Sequence, residues 1–214
     1  MPVDVFKGEM MKSLNVLLVV FALLFLIGCR TTASVHDNTY ELTLAPSIVV
    51  NSEYEYIGSC KAVYPVVYSM GSRMGNKSIT IPIRSDVFIR HEGTKLIDVC
   101  VIETQEAGRT VGGSIIRWRS SKEPGIPFQG DEYQFEMFHT FEAPRVYWAS
   151  YAAAMKKEGF DVDDLVVGKM TKKVRRSIRV AMIYAYNPSM VPVESDKKTE
   201  YLIDQLNKNF EVIN

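Results

Sequence analysis

VFIRHEGTKLIDVCVIETQEAGRTVGGSIIRWR, residues 87–119, carries the clearest structural signal in the chain. Three β-prone runs are separated by two short turn signals, Glu92-Gly93-Thr94 and Glu106-Ala107-Gly108. Glycine-bearing breaks of that length predict hairpins, so residues 87–91, 95–104 and 109–119 read as a three-strand antiparallel meander. The middle run, LIDVCVI (96–102), is apolar at both alternating sets of positions apart from Asp98. A strand with one wet face would alternate, so this one is expected to be central and covered on each side.

Upstream, Ile79, Ile81 and Ile83 alternate with Thr80 and Pro82. Pro82 has no amide to donate, which predicts an edge strand. Residues 47–57 and 62–68 are β-rich, and the glycines of 69–76 mark a loop. Downstream, two prolines and two glycines in 120–130 predict a surface loop, followed by a strand over 131–138. Pro144 and Gly159 bracket an expected helix over 144–158, with Trp148, Tyr151, Ala152 and Met155 as its buried stripe. A short apolar piece at 165–167, a strand over 178–186 and a second helix over 195–210 complete the pattern. Ser195 is the expected cap of that helix, with Leu202, Ile203, Leu206 and Phe210 on its inner side. Strands first and helices later predict an α+β domain: a mainly antiparallel sheet with the two helices packed on one face.

Of the 214 residues, 47% are hydrophobic and 23% charged, which suits a globular protein rather than a disordered one. Lys plus Arg equal Asp plus Glu at 25 each, so no nucleic-acid or other polyanion partner follows from net charge. At about 100 to 200 residues per domain, residues 40–214 make a single domain.

At the N-terminus, VLLVVFALLFLI (16–27) is an unbroken apolar run behind Lys12, closed by Gly28 and Cys29. A spanning helix needs about 20 apolar residues and a signal-peptide core roughly 7 to 15, so length favours the signal peptide. Leu26-Ile27-Gly28-Cys29 resembles the lipobox of bacterial lipoproteins, with Ile27 in place of the commoner Ala or Ser. The resemblance implies a diacylglycerol on the Cys29 thiol and cleavage between Gly28 and Cys29, so that 1–28 is removed and 29–39 becomes a lipidated tether. Because Asp4 and Glu9 precede Lys12, the true start is expected at Met10 or Met11. Arg30 after the lipidated cysteine implies an outer-membrane rather than an inner-membrane location, facing the periplasm. The partners this implies are the membrane, through the lipid, and an envelope protein or cell-wall component.

With Cys29 acylated, Cys60 and Cys100 are left as a candidate disulfide in an oxidising compartment. It would close about 40 residues and contribute roughly 3 to 4 kcal/mol. Two separate buried thiols are the alternative, since Cys100 sits in an apolar run. Lys169, Lys172, Lys173, Arg175, Arg176 and Arg179 are a candidate contact for an anionic surface, or a solvated hairpin balanced by Asp161, Asp163 and Asp164. Those three aspartates lack the glycine and the closing glutamate of a calcium loop. Tyr54, Tyr56, Tyr64, Tyr68, Tyr184 and Tyr186 are either a binding face or amphipathic core-edge positions. Gly71-Ser72-Arg73-Met74-Gly75 and Gly112-Gly113-Ser114 do not match a serine nucleophile turn, and His36, His91 and His139 have no catalytic context. Hence no cofactor, metal or catalytic residue is assigned. The expectation is a non-catalytic binding or assembly module, with an envelope hydrolase or a surface-displayed antigen as alternatives.

Overall fold

The computed structural model describes residues 33–43, 45–69, 76–106, 125–140, 145–160, 162, 164–175 and 178–213, with side chains described except for 64–80 and 145–150. The fold is that of the compact unit Ser34–Asn214. A seven-stranded antiparallel sheet has the order β4-β5-β6-β10-β9-β8-β7, and a four-stranded sheet the order β1-β2-β3-β11. The large sheet comprises β4 (Glu55–Ser69), β5 (Asn76–Glu92), β6 (Lys95–Glu106), β7 (Ile126–Phe128), β8 (Asp131–His139), β9 (Val166–Lys173) and β10 (Ile178–Tyr186). The small one comprises β1 (Ala33–His36), β2 (Thr39–Leu42), β3 (Ser47–Val50) and β11 (Phe210–Ile213). Two helices, α1 (Arg145–Lys157) and α2 (Lys198–Asn209), complete the α+β architecture, α2 being preceded by a 3-10 turn at Ser195–Lys197.

The hairpin around Gly93 forms as expected, but the meander is displaced by one strand. Its members are β4, β5 and β6, and the second neighbour of β6 is β10, with Met182 opposite Ile102. The run 109–119 lies outside the described residues. β6 is central, and Leu96 and 98–105 are all buried. Pro82 is tolerated because β5 changes character along its length. From Ile83 onward β5 is flanked by β4 and β6, whereas Pro82 is opposite Val63 of β4 and beyond the β6 register. Among the described residues, the strand is paired on both sides at one end and only with β4 at the other.

Further boundaries differ from expectation: the run 47–57 breaks into β3 and the start of β4, and the short piece at 165–167 extends through the basic residues as β9. Residues 126–128 of the predicted 120–130 loop form β7, because Phe128 is buried and Ile126 half-buried on a strand paired with β8. The polar stretch 29–39 is not all tether, since β1 starts at Ala33 and β2 at Thr39. Ser195 makes no side-chain cap and sits inside the 3-10 turn, and the helix ends at Asn209, with Phe210 switching to extended backbone and opening β11.

The predicted helix 144–158 is observed as α1, and its C-terminus explains Gly159. The Phe160 amide donates to Met155 O and the Gly159 amide to Lys156 O, with Gly159 at φ +88°. This paired arrangement needs a left-handed residue after the helix, where a Cβ is costly. It swings Phe160 back onto the core beside buried Met155.

The helices lie on opposite faces of the large sheet, not on one. Tyr151 and Met155 of α1 pack with Val87, Val99, Val101, Val167 and Ile183. α2 meets the alternate positions: a Cβ on Gly168 would stand 3.0 Å from Leu202 Cβ and 3.2 Å from its Cδ2. The small sheet shares that second face, through the hydrogen bond between the Tyr40 and Thr104 hydroxyls. The reason is alternation, because neighbouring residues on β9 and β10 point to opposite faces and both sets are apolar. Since α2 sits so close, Gly168→Val is expected to cost about 1 to 3 kcal/mol by overpacking, measured by urea unfolding. Wild-type stability would mean that α2 is not seated on Gly168.

Candidate functional site

Gly28 and Cys29, Arg176, Asp161, Asp163 and the two glycine-serine segments at 71–75 and 112–114 lie outside the described residues, as do the side chains of Tyr64, Tyr68 and Trp148. Cys60 and Cys100 form no disulfide. Cys60 is opposite Ser85 on β5 and Cys100 opposite Phe88 on β5, so a whole strand separates them. Two strand spacings are roughly 9.6 Å, beyond the span a disulfide can bridge without moving backbone. Cys60 Sγ donates to Ser85 O at 3.6 Å, and Cys100 is fully buried, which pushes its thiol well above the usual range.

The basic segment is not one surface. Lys169 is 7% exposed and its Nζ is 2.9 Å from Glu103 Oε1, inside the sheet face covered by α1. Lys172 pairs with Asp131 and lies over the Tyr133 ring. Strand geometry scatters what proximity in sequence suggested, since β9 turns alternate residues to opposite sides. The histidines are scattered too. His36 is on β1, His91 at the end of β5 beside Glu55, and His139 on β8 opposite Val166. Tracing the register from His139 to Arg90 crosses four strand spacings, about 19 Å. Among the described residues no group of His, Cys, Asp or Glu could hold a metal ion.

Among the described residues, three buried polar clusters lie instead inside the large sheet, one of them Asp86 with Arg84 and the Tyr56 hydroxyl. Around Glu103, which is fully buried, converge Lys169 Nζ, Gln105 Nε2 and the Tyr151 hydroxyl of α1. On the opposite face, fully buried Asp98 accepts two bonds from Arg90 and one from the Tyr184 hydroxyl at 3.0 Å, and Arg90 also reaches Glu53. Every charge here has an opposite charge in contact, as buried charges require. Glu103 and Gln105 escaped the sequence reading, and Asp98 entered it only as the exception in an apolar strand. The available signal was a lone charge inside an apolar strand, which marks an internal partner more often than a strand end.

The tyrosines divide accordingly. Tyr54, Tyr184 and Tyr186 are core, whereas Tyr56 is 36% exposed and donates to Asp86. Burial pushes the Tyr40 hydroxyl up to about 12, and those of Tyr54 and Tyr184 higher still, with the Asp98 charge adding to both. The unfolded value is about 10, so the folded state holds these protons more tightly than the unfolded state. Their contribution to stability is therefore intact below pH about 10 and lost as pH rises toward the folded values. In an alkaline titration, tyrosinate absorbance is expected to include a cooperative step coincident with loss of circular dichroism. A single gradual step near 10 with the fold retained would contradict this burial.

A cleft of about 310 Å³ opens where the C-terminal end of α2 meets β11, lined among others by Asn51, Gln129, Asn207, Lys208, Asn209 and Glu211. Its geometry depends on Gln129. Gln129 and Gly130 form the two-residue turn between β7 and β8, both at positive φ, 48° and 86°. Asn, Asp or Gly suits the first of these positions, and Gln there costs about 1 kcal/mol. Gln adds reach. Its Nε2 donates to Phe210 O at 2.7 Å, and the Val212 amide donates to its Oε1 at 2.7 Å. These are the two bonds that a residue of a neighbouring parallel strand would make with the outer edge of β11. The Asn51 amide donates to Asn209 O at 3.0 Å, tying α2 to the end of β3.

Comparison of the chain with protein-family models, with curated proteins and with solved structures gives no match.

Proposed function

We propose that this protein is a bacterial envelope lipoprotein, held by lipid on Cys29 at the outer membrane facing the periplasm, whose α+β domain is a non-catalytic binding or assembly module. The observation that carries this reading is the apolar run 16–27 closed by Leu26-Ile27-Gly28-Cys29. The start of β1 at Ala33 supports it, because four residue steps span at most roughly 14 Å and would keep the domain close to the membrane surface. Mutual pairing of the buried charges and separation of the histidines favour a binding role over hydrolysis, and the α2–β11 cleft is the binding site this reading uses.

The test is the intact mass of the protein extracted in detergent from its native host, without reductant and then with it. The expected mass begins at Cys29 and carries acyl chains, with no two-proton change on reduction. A mass that retains residues 16–27 without lipid sinks the lipoprotein reading.

A further inference from the structure

We propose that the α2–β11 cleft binds an extended peptide segment of a partner protein and reads it through its main chain; this rests on the binding-module reading and names its ligand. Gln129 provides the first argument. The outer edge of β11 already accepts a carboxamide in the arrangement of a strand residue, one N–H to Phe210 O and one C=O from the Val212 amide. A carboxamide and a peptide group are the same chemistry. Both edge groups are taken in the folded chain, so the peptide binds by displacing the Gln129 carboxamide, a single side chain on a turn whose backbone is strained at that residue.

The lining supplies the second argument. Asn207 Nδ2 is used on Ile203 O and Asn51 Oδ1 accepts the Glu53 amide, which leaves Asn207 Oδ1 and Asn51 Nδ2 with no hydrogen bond among the described residues. One acceptor and one donor match the alternating N–H and C=O of an extended chain. Lys208 and Glu211 oppose each other in charge, so the cleft selects a neutral main chain rather than an anion or a cation. Phe210 is 2% exposed and turned into the core, so this aromatic ring offers no stacking surface to a sugar. Recognition through main-chain hydrogen bonds at a sheet edge is a general mode of peptide binding.

The experiment follows the side-chain amide signals of Asn51, Gln129 and Asn207 by NMR in the full chain in detergent micelles. One probe is a capped Thr-Val-Thr-Val-Thr-Val peptide and the other is chitotriose. Saturable shifts at these amides with the peptide are expected, and N207L should weaken binding about tenfold, the value of one hydrogen bond, while signals from β6 stay in place. Shifts with chitotriose alone, no shift with either probe, or N207L binding as wild type would each overturn the proposal. The mass measurement above decides the lipid anchor separately, so the two readings fail independently.

Discussion

Lys169→Met will lose about 3 to 5 kcal/mol of unfolding free energy. The loss does not come from packing, because methionine fills nearly the same volume. It comes from Glu103, which is fully buried and has Lys169 as its cationic contact at 2.9 Å. Gln105 and Tyr151 still donate to the carboxylate, yet two neutral donors do not replace a positive charge in a medium of low polarity. A specific non-additivity follows. Adding Glu103→Gln to Lys169→Met removes the stranded charge while keeping acceptors for both donors, so the double variant should be more stable than Lys169→Met alone. Urea unfolding of the three proteins decides it. A Lys169→Met protein within about 1 kcal/mol of wild type would mean that Glu103 does not depend on Lys169 for compensation in the folded state.

On the other face of β6, Arg90→Ala is expected to cost about 3 kcal/mol and Asp98→Asn less than that. The order follows from exposure. Asp98 is fully buried, so losing Arg90 leaves a carboxylate with the Tyr184 hydroxyl but, among the described residues, no cation in contact. Asn at 98 instead removes the charge and keeps an acceptor for Tyr184, while Arg90, whose side chain is 33% exposed, retains water and Glu53. That same exposure lets water enter when Arg90 is removed, which is why this effect should lie at or below the Lys169 value, where the side chain is 9% exposed. Thermal or urea unfolding of both variants tests the order. If Asp98→Asn proves the more damaging, Arg90 rather than Asp98 is the group that depends on the pair.

Periodicity alone located the centre of this fold. The apolar run of β6, the strand at 178–186, the helix ended by Gly159 and the inner positions Leu202 and Leu206 were all legible, because each is a local pattern matched to a local conformation. Partner choice was not legible. Nothing in residues 87–119 says that β6 pairs with β10 across more than 70 intervening residues, the gap from Glu106 to Ile178. Local spacing favoured the next run in the chain, and a non-local strand took its place. The helix placement went the same way. Val167 and Gly168 are adjacent in sequence, and only the pleat reveals that one faces α1 and the other α2.

The candidate cleft was illegible for a related reason. Gln129 lay in a stretch read as loop, and its role depends on β11, 81 residues away from it in sequence at Phe210. Lys169 shows the reverse failure, a residue grouped with five neighbours by charge that the sheet turned inward to Glu103.

By itself the sequence determined the class of domain, the identity of most core positions, and the apolar run with its closing cysteine from which lipid anchoring is proposed. These depend on hydrophobic period, turn chemistry and contiguous motif, which act over a few residues. Only the tertiary structure decided the strand order, the opposite placement of the two helices, the absence of a Cys60–Cys100 bridge, and the meeting of Glu103 with Lys169 and of Gln129 with β11. Those are contacts between residues far apart in the chain, fixed by which apolar faces bury one another, and no local pattern encodes them.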